Sequence, residues 1–330
     1  MNRPTRITVL AALLALVAVG VHSGYAGAKE VVFDESFSVK SGGKLEVAVG
    51  DMDILLKVGK SDQARVEVVV TGDIDKMRER FEKMNFTAEL KGNTLVVDAD
   101  QRGSRTVLWW GSSRGNIHMT VTIPKQFDVY AQTSDGDISA GGQEGEIELK
   151  SSDGDITIDR LTGPKIHLVT SDGDIDVDEI SGDDILLRSS DGDLTANLIK
   201  GESVTMKTSD GDVDADKIEA ETIAVRSSDG DLDLTVSGGE LEARTSDGDI
   251  SVAVDGSMAL DLSTSDGDIT IQVPKGFGAE VELSGESVKL GGKIALEGEV
   301  SKRRISGTLG DGGPKVSART SDGSVALRFD

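Results

Sequence analysis

There is no cysteine in this chain of 330 residues. That excludes a disulfide framework, a thiolate metal site, a cysteine nucleophile and a lipid-modified cysteine. Aromatic residues are only 3% of the sequence, too few to line a wide aromatic pocket. Basic residues are outnumbered, 35 Lys+Arg against 59 Asp+Glu, for a net charge of -24. Phosphate recognition needs clustered Lys and Arg, so a nucleic-acid partner is not expected. Hydrophobic residues reach only 37%, yet they are regularly spaced, which argues against disorder.

Residues 1–28 read as a secretory signal. Arg3 and Arg6 open it, Ile7 to Val21 is an apolar run, and Ala26-Gly27-Ala28 is a small-residue cleavage site. The run is too short for a comfortable membrane span, and no later stretch reaches the roughly 18 apolar residues that a span needs. The expected product starts at Lys29, is exported to the periplasm or the cell surface, and has no membrane span once the signal is removed.

What the chain does have is a repeat. Ser-Asp-Gly-Asp starts at Ser134, Ser152, Ser171, Ser190, Ser209, Ser228, Ser246 and Ser265. The steps between copies are nearly constant, a period that marks a repeat architecture. A ninth copy, Ser-Asp-Gly-Ser, starts at Ser321, after a gap close to three more steps. Ser284-Gly285-Glu286-Ser287 stands where the next copy after Ser265 is expected. Within one unit, Ile175 and Val177 alternate with Asp174, Asp176 and Asp178. Ile185 and Leu187 alternate with Leu186 and Arg188. Each short period-two run ends at a Gly-containing turn, which reads as strand, turn, strand, turn. Glycine suits the Asp-Gly turn because it accepts positive φ.

Identical units on one period stack as coils of a parallel β-solenoid. The expected fold is all-β, with coils of about 18–19 residues that are flattened and two-faced, with room for a short third face. Parity turns the Ile175/Val177 and Ile185/Leu187 positions of every coil inward, giving an aliphatic core. The same parity turns Ser151, Thr170, Ser189, Thr208, Ser227, Thr245 and Thr264 inward, where they meet turn backbone or one another. An outward, ice-binding hydroxyl array does not fit that parity.

Residues 29–130 read as an N-terminal cap with the first irregular coils, and 131–330 as the repeat solenoid with irregular C-terminal coils. Leu45 to Ile54 resembles a worn coil. One helix is expected near 73–86, with Met77, Phe81 and Met84 on one face and Asp73 as cap. Trp109-Trp110 reads as a hairpin tip, sealing the cap rather than stacking on sugar. Ile123-Pro124-Lys125-Gln126-Phe127 recurs as Val273-Pro274-Lys275-Gly276-Phe277, with each Pro at a turn between strands.

These elements resemble a bacterial family of adhesin-like proteins of unknown function. The resemblance rests on Gly42-Gly43-Lys44-Leu45-Glu46-Val47, the Val-Pro-Lys-x-Phe segment, the Thr-Ser-x-Gly-Asp-Ile repeats, Gly307 to Pro314, and the closing Thr320 to Ser324. It covers most of residues 40–330. It implies a β-solenoid at the cell envelope, in some members linked to envelope stress. It implies no activity and brings no catalytic residues.

Two outward columns are the candidate sites. The Asp-Gly-Asp turns stack Asp153, Asp172, Asp191, Asp210 and Asp229 above one another, and likewise Asp155, Asp174, Asp193, Asp212 and Asp231. Carboxylates about 4.8 Å apart repel by roughly 1 kcal/mol in water and about 3–4 at an effective dielectric of 20. Either backbone N–H groups offset this or calcium ions between coils do. The unit lacks the nonapeptide spacing of calcium β-rolls. The second column is basic: Lys150, Arg188, Lys207, Arg226 and Arg244, broken by Val169 and Ser263. It balances the acids, each exposed pair adding under about 1 kcal/mol, or it forms a linear face for an anionic glycan.

Catalysis has little support. His118 and His167 stand alone on strand patterns, and no triad, zinc spacing or phosphate loop occurs. The expected function is that of a non-enzymatic interaction or scaffold protein at the cell envelope, with an envelope protein or glycan as partner. The alternatives are a calcium-binding solenoid and, more remotely, a polysaccharide-active enzyme.

Overall fold

The computed structural model describes residues 28–59, 62–99, 115–292 and 295–329. The expected signal before Ala28 and the Trp109-Trp110 tip lie outside the described residues. The protein is all-β apart from one helix, and most of its strand pairs are parallel.

The chain opens with β1 (Lys29–Ser38), β2 (Gly43–Ala48), β3 (Asp53–Val58) and β4 (Gln63–Thr71). The helix α1 (Ile74–Lys83) follows, then β5 (Phe86–Lys91), β6 (Thr94–Ala99), β7 (Ile117–Ile123) and β8 (Phe127–Gln132). Apolar residues at i, i+4 and i+7 give α1 a face that packs toward β1 and β4. Met77 and Met84 are buried there, and Phe81 meets Phe86 at 5.2 Å between ring centroids. Asp73 makes no side-chain cap bond; its carboxylate pairs with Lys76 at 2.8 Å instead, so the capping expectation fails. Arg80 on α1 pairs with Asp51, tying the helix to the turn between β2 and β3. Asn85, at φ 49, ends the helical path in the left-handed conformation that Asn tolerates.

The regular block is β9 (Ile138–Ala140), β10 (Gln143–Glu144), β11 (Ile147–Lys150), β12 (Ile156–Val169), β13 (Ile175–Arg188), β14 (Leu194–Lys207), β15 (Val213–Arg226) and β16 (Leu232–Arg244). Each long strand, of 13 or 14 residues, takes in both runs of one repeat and leaves only the Asp-Gly turn outside it. The parallel ladder does not stop at the second bend but turns it, through Gly163, Gly182 and Gly201 in register. This creates an inward position that strict two-strand parity does not contain. Leu161, Ile180, Ile199, Ile218 and Val236 stack there, almost wholly buried, between the two expected inner pairs. The shorter step between Ser228 and Ser246 is absorbed at the same bend, where the register shifts between Ala215 and Ile218 and the columns on either side stay aligned.

Turn glycines serve a different purpose from the one expected. None of Gly154, Gly173, Gly192, Gly211 or Gly230 has a positive φ. Their role is close approach: a β-carbon on Gly192 would lie 2.0 Å from the carbonyl oxygen of Gly173, and the neighbouring turns repeat this contact. Only a residue without a side chain lets successive turns stack at strand spacing.

The ends depart from sequence order. After β17 (Ile250–Val254), β18 (Ala259–Ser263) and β19 (Ile269–Val273) come β20 (Ala279–Ser284), β21 (Ser287–Leu290), β22 (Leu296–Val300), β23 (Arg304–Leu309), β24 (Lys315–Arg319) and β25 (Ser324–Phe329). The coil made of β24 and β25 is interposed: β24 pairs with β18 and β20, and β25 with β19 and β21. Ser321 and Asp322 donate to the carbonyl of Ser265. The expectation that Ser284 follows Ser265 in the stack is therefore corrected, because the chain-terminal coil lies between them. The start of the chain mirrors this. The coil of β2 and β3 lies between β6/β7 and β8/β9. Antiparallel strands flank the parallel core at both ends: β1, β4 and β5 at one, β22 and β23 at the other. Among the described residues no helix is long and apolar enough to cross a membrane.

Candidate functional site

The stacked turn is the most repeated chemistry in the molecule. Each Ser carbonyl accepts two N–H groups from the next coil; Ser171, for example, accepts those of Ser190 and Asp191, both at 2.9 Å. The inward hydroxyls complete the turn, bonding to backbone and not to each other. Thr208 Oγ1 faces the carbonyls of Ser190 and Gly192 at 3.2 and 3.0 Å and accepts the N–H of Gly211. The same arrangement recurs with Ser189 and Thr245. It extends to Thr133, which bonds the carbonyls of Gly50 and Met52, so the worn coil before Ile54 carries the same turn.

The two Asp columns behave differently. Asp155, Asp174, Asp193, Asp212 and Asp231 each turn Oδ1 onto the backbone N–H one coil further on. The Asp193 contact to Asp212 N–H is 2.8 Å. This ladder sets the partially positive hydrogen of an N–H group against each carboxylate and offsets the repulsion between neighbours. Asp153, Asp172, Asp191, Asp210 and Asp229 stand at the exposed turn tips, with no side-chain hydrogen bond or ion pair among the described residues. Among those residues, no three His, Asp or Glu side chains converge on a metal-holding arrangement.

The first outer face is acidic beyond these columns. Asp176 and Asp178 share it with Asp174, and Asp214 and Asp216 share it with Asp212. Thr195 and Asn197 occupy the coil between, and Asn197 Nδ2 donates to Asp178 at 3.0 Å. Asp214 has no such neutral neighbour on its far side. Burial, then the charges of Asp233 and Asp216, push its carboxyl above the usual range. Burial, then Asp51, does the same to Asp135.

The basic column lies on the other outer face. Arg188, Lys207, Arg226 and Arg244 are opposite one another in the parallel register. Ser263 interrupts the column, and Arg319 follows because the last coil stacks on it. Arg226 pairs with Glu242 at 2.5 Å, and Arg244 pairs with Glu242 and Asp261. Lys150 pairs with Glu148. Arg188 and Lys207 have no carboxylate partner among the described residues. Beside them run Leu186, Thr205 and Ala224, an uncharged strip on the same face.

His118 and His167 are not brought together. His118 Nδ1 meets Asp53 at 2.8 Å on one face, and His167 Nε2 meets Asp184 at 3.0 Å on the other. A shallow depression of about 280 Å³ near the first coils is lined by residues including Lys44, Glu46, Tyr130, Glu148 and Lys150. Lys44 Nζ sits 4.1 Å over the Tyr130 ring. Burial, then a hydrogen bond to the Glu146 carboxylate, pushes the Tyr130 phenol up to about 12. No motif points to this aromatic contact, since a single Tyr on a strand carries no pattern.

No curated protein matches this chain. Among solved structures it is similar to a "putative adhesin" from Bacteroides fragilis (12% identity, 93% of this chain and 100% of that one, TM-score 0.40). It is also similar to a "putative adhesin" from Parabacteroides merdae (10% identity, 89% and 95%, TM-score 0.45). A "putative lipid binding protein" from Parabacteroides distasonis is similar as well (14% identity, 91% and 97%, TM-score 0.41). The Toastrack DUF4097 family model matches twice, over residues 43–183 and 165–328, which takes in every stacked turn from Gly50 to Gly323. The chain belongs to the Toastrack DUF4097 family.

Proposed function

We propose that the protein is a non-enzymatic interaction or scaffold element, exported and held at the cell envelope or surface, whose basic column contacts an anionic envelope glycan or protein. The observation that carries this reading is the state of Arg188 and Lys207. In a chain with a net charge of -24, these two cations sit one coil apart with no carboxylate partner among the described residues, beside an uncharged strip. Adjacent like charges repel, and a column that served only charge balance would pair them, as Arg226 and Arg244 are paired.

The test is a pull-down from envelope fractions with the intact protein and with Arg188→Glu, Lys207→Glu and Arg226→Glu combined. Loss of the captured glycan or protein, with an unchanged melting midpoint, supports the reading. Unchanged capture overturns it and leaves the column to charge balance. The calcium alternative is separated by melting with excess Ca²⁺ and with chelator, since an ion held between coils raises the midpoint by mass action. An equal midpoint removes it. The enzyme alternative requires cleavage of an envelope polysaccharide that is lost on changing His118 or His167.

A further inference from the structure

The sequence holds eleven Asp-Gly pairs, the dipeptide whose backbone cyclises most readily, because glycine puts no side chain in the way of its own nitrogen. Nine of them close the stacked turns, from Asp135-Gly136 to Asp322-Gly323. There the backbone is confined. Asp247 and Asp266 each donate their N–H to a serine carbonyl one coil back, at 3.0 Å. Gly248 and Gly267 give theirs to the hydroxyls of Thr245 and Thr264, at 3.4 and 3.3 Å. A β-carbon on either glycine would collide with a carbonyl oxygen of the preceding turn, that of Gly230 or of Gly248. Gly173 N–H has no such hydroxyl among the described residues, but the same carbonyl contact confines it. Asp311-Gly312 lies outside the stacked turns, and there Gly312 N–H is held by the carbonyl of Leu309 at 3.1 Å. Asp255-Gly256 is different. β16 pairs with β17 as far as Val254 and with β18 from Ala259, so residues 255–258 leave the ladder at the bend that β13 and β14 turn together. Asp255, Gly256 and Ser257 are all exposed. Gly256 has φ 111, no other part of the chain lies within 4 Å of its β-carbon position, and its N–H makes no hydrogen bond among the described residues.

We propose that Asp255 is a site of spontaneous backbone modification, where the chain converts to isoaspartate while the stacked Asp-Gly pairs stay intact. The Gly256 nitrogen attacks Cγ of Asp255. A bond forms between them, and the amide proton leaves with a carboxyl oxygen and its proton as water. The product is a five-membered cyclic imide. Water then adds to one of its two carbonyls. Opening at Cγ restores aspartate. Opening at the main-chain carbonyl routes the backbone through Cβ and Cγ and frees the α-carboxylate. One water is lost and one regained, so formula and charge are unchanged and solvent water is the only co-reactant. Both steps need room: the nitrogen must turn toward Cγ, and isoaspartate lengthens the main chain by one carbon. The bend at 255–258 supplies that room. A stacked turn, with its neighbours one strand spacing away, does not. At the exposed bend the added carbon meets solvent and the ladders on either side persist, as at other loop tips that tolerate change. The site is separate from the basic column and needs no partner.

Trypsin makes the comparison internal. Cleavage after Arg244 and after Lys275 releases one peptide that carries Asp247, Asp255 and Asp266, so two stacked pairs serve as controls in the same molecule. The folded protein is aged in warm neutral buffer and digested. Electron-transfer fragmentation of the peptide then tells isoaspartate from aspartate at each position. The expected result is isoaspartate at Asp255 several-fold above that at Asp247 and Asp266, with circular dichroism unchanged. A parallel sample aged in urea is expected to bring the three positions to comparable levels, since unfolding frees all three backbones. No excess at Asp255 in the folded protein overturns the proposal, whatever the urea sample shows. An excess that persists undiminished in urea also overturns it, because local sequence and not the open bend would then be the cause.

Discussion

The carbonyl oxygen of Gly173 occupies the space where a β-carbon on Gly192 would project, at 2.0 Å. Stacking therefore depends on glycine through distance and not through φ. Gly192→Ala must push two coils apart or bend the turn, and the expected cost is about 1–3 kcal/mol, as for an overpacked interior. Urea unfolding measures it. Gly256→Ala is the contrast: nothing lies within 4 Å of its β-carbon, but its φ is 111, so its cost comes from backbone strain alone.

Thr208 donates to a carbonyl of the preceding coil and accepts the Gly211 N–H. Thr208→Val keeps the shape and removes both roles, leaving buried polar groups unpaired, for a loss of about 1–3 kcal/mol. Thr208→Ser keeps the hydroxyl that Ser189 and Ser227 supply in neighbouring coils, and its stability is expected to stay near that of the parent. A loss in Thr208→Ser with none in Thr208→Val would show that the methyl group, not the hydroxyl, matters.

In the Asp ladder the acceptor and the charge are separable. Asp193→Asn retains an oxygen for the Asp212 N–H and removes one charge from a column of like charges, so stability is expected to be equal or higher. Asp193→Ala removes the acceptor too and is expected to cost about 1 kcal/mol. Chemical denaturation of both, at low and at high salt, makes the check, because salt screens the column and narrows any gain in the Asn variant.

Asp214 is held above the usual carboxyl range by burial and by Asp233 and Asp216. A carboxyl raised in the folded state costs stability at neutral pH. That cost is relieved as pH falls through its folded value toward its unfolded one, because the native state takes up the proton first. Asp214→Asn is therefore expected to be more stable than the parent at pH 7, with the advantage shrinking toward acid. Parallel melts across the acid range test this, and a constant difference between the two proteins would refute it.

Tyr130 is the one tyrosine in residues 29–330, and its phenol is pushed up to about 12 by burial and the Glu146 carboxylate. In a chain without Tyr25, phenolate absorbance is expected to stay flat through the ordinary tyrosine range and rise near pH 12. Stability falls as pH climbs between the unfolded and folded values, since only the unfolded phenol ionises there. Glu146→Gln is expected to move the titration down. A rise at the ordinary tyrosine value in the folded parent would disprove the assignment.

The two expected inner pairs were legible because period-two alternation is a local property, written into each unit as at Ile175/Val177 and Ile185/Leu187. Ile180 escaped because it lies where the strand turns a corner, and alternation is interrupted there. The Asp columns and the basic column were legible as columns; their bonding was not. Whether Asp193 holds a backbone N–H, and whether Arg188 meets a carboxylate, depends on neighbours one coil away in register.

The amino-acid sequence alone determined that the backbone coils, which alternating side chains line its two inner faces, and that every turn carries a hydroxyl and a glycine. Repetition makes each of these a nearest-neighbour matter between one unit and the next. Only the tertiary structure decided that β24 and β25 slip between β18/β19 and β20/β21, so that Ser321 rests on Ser265. Parallel edges with the same apolar alternation are nearly interchangeable as partners, and the choice among them rests on how the whole stack closes at its ends.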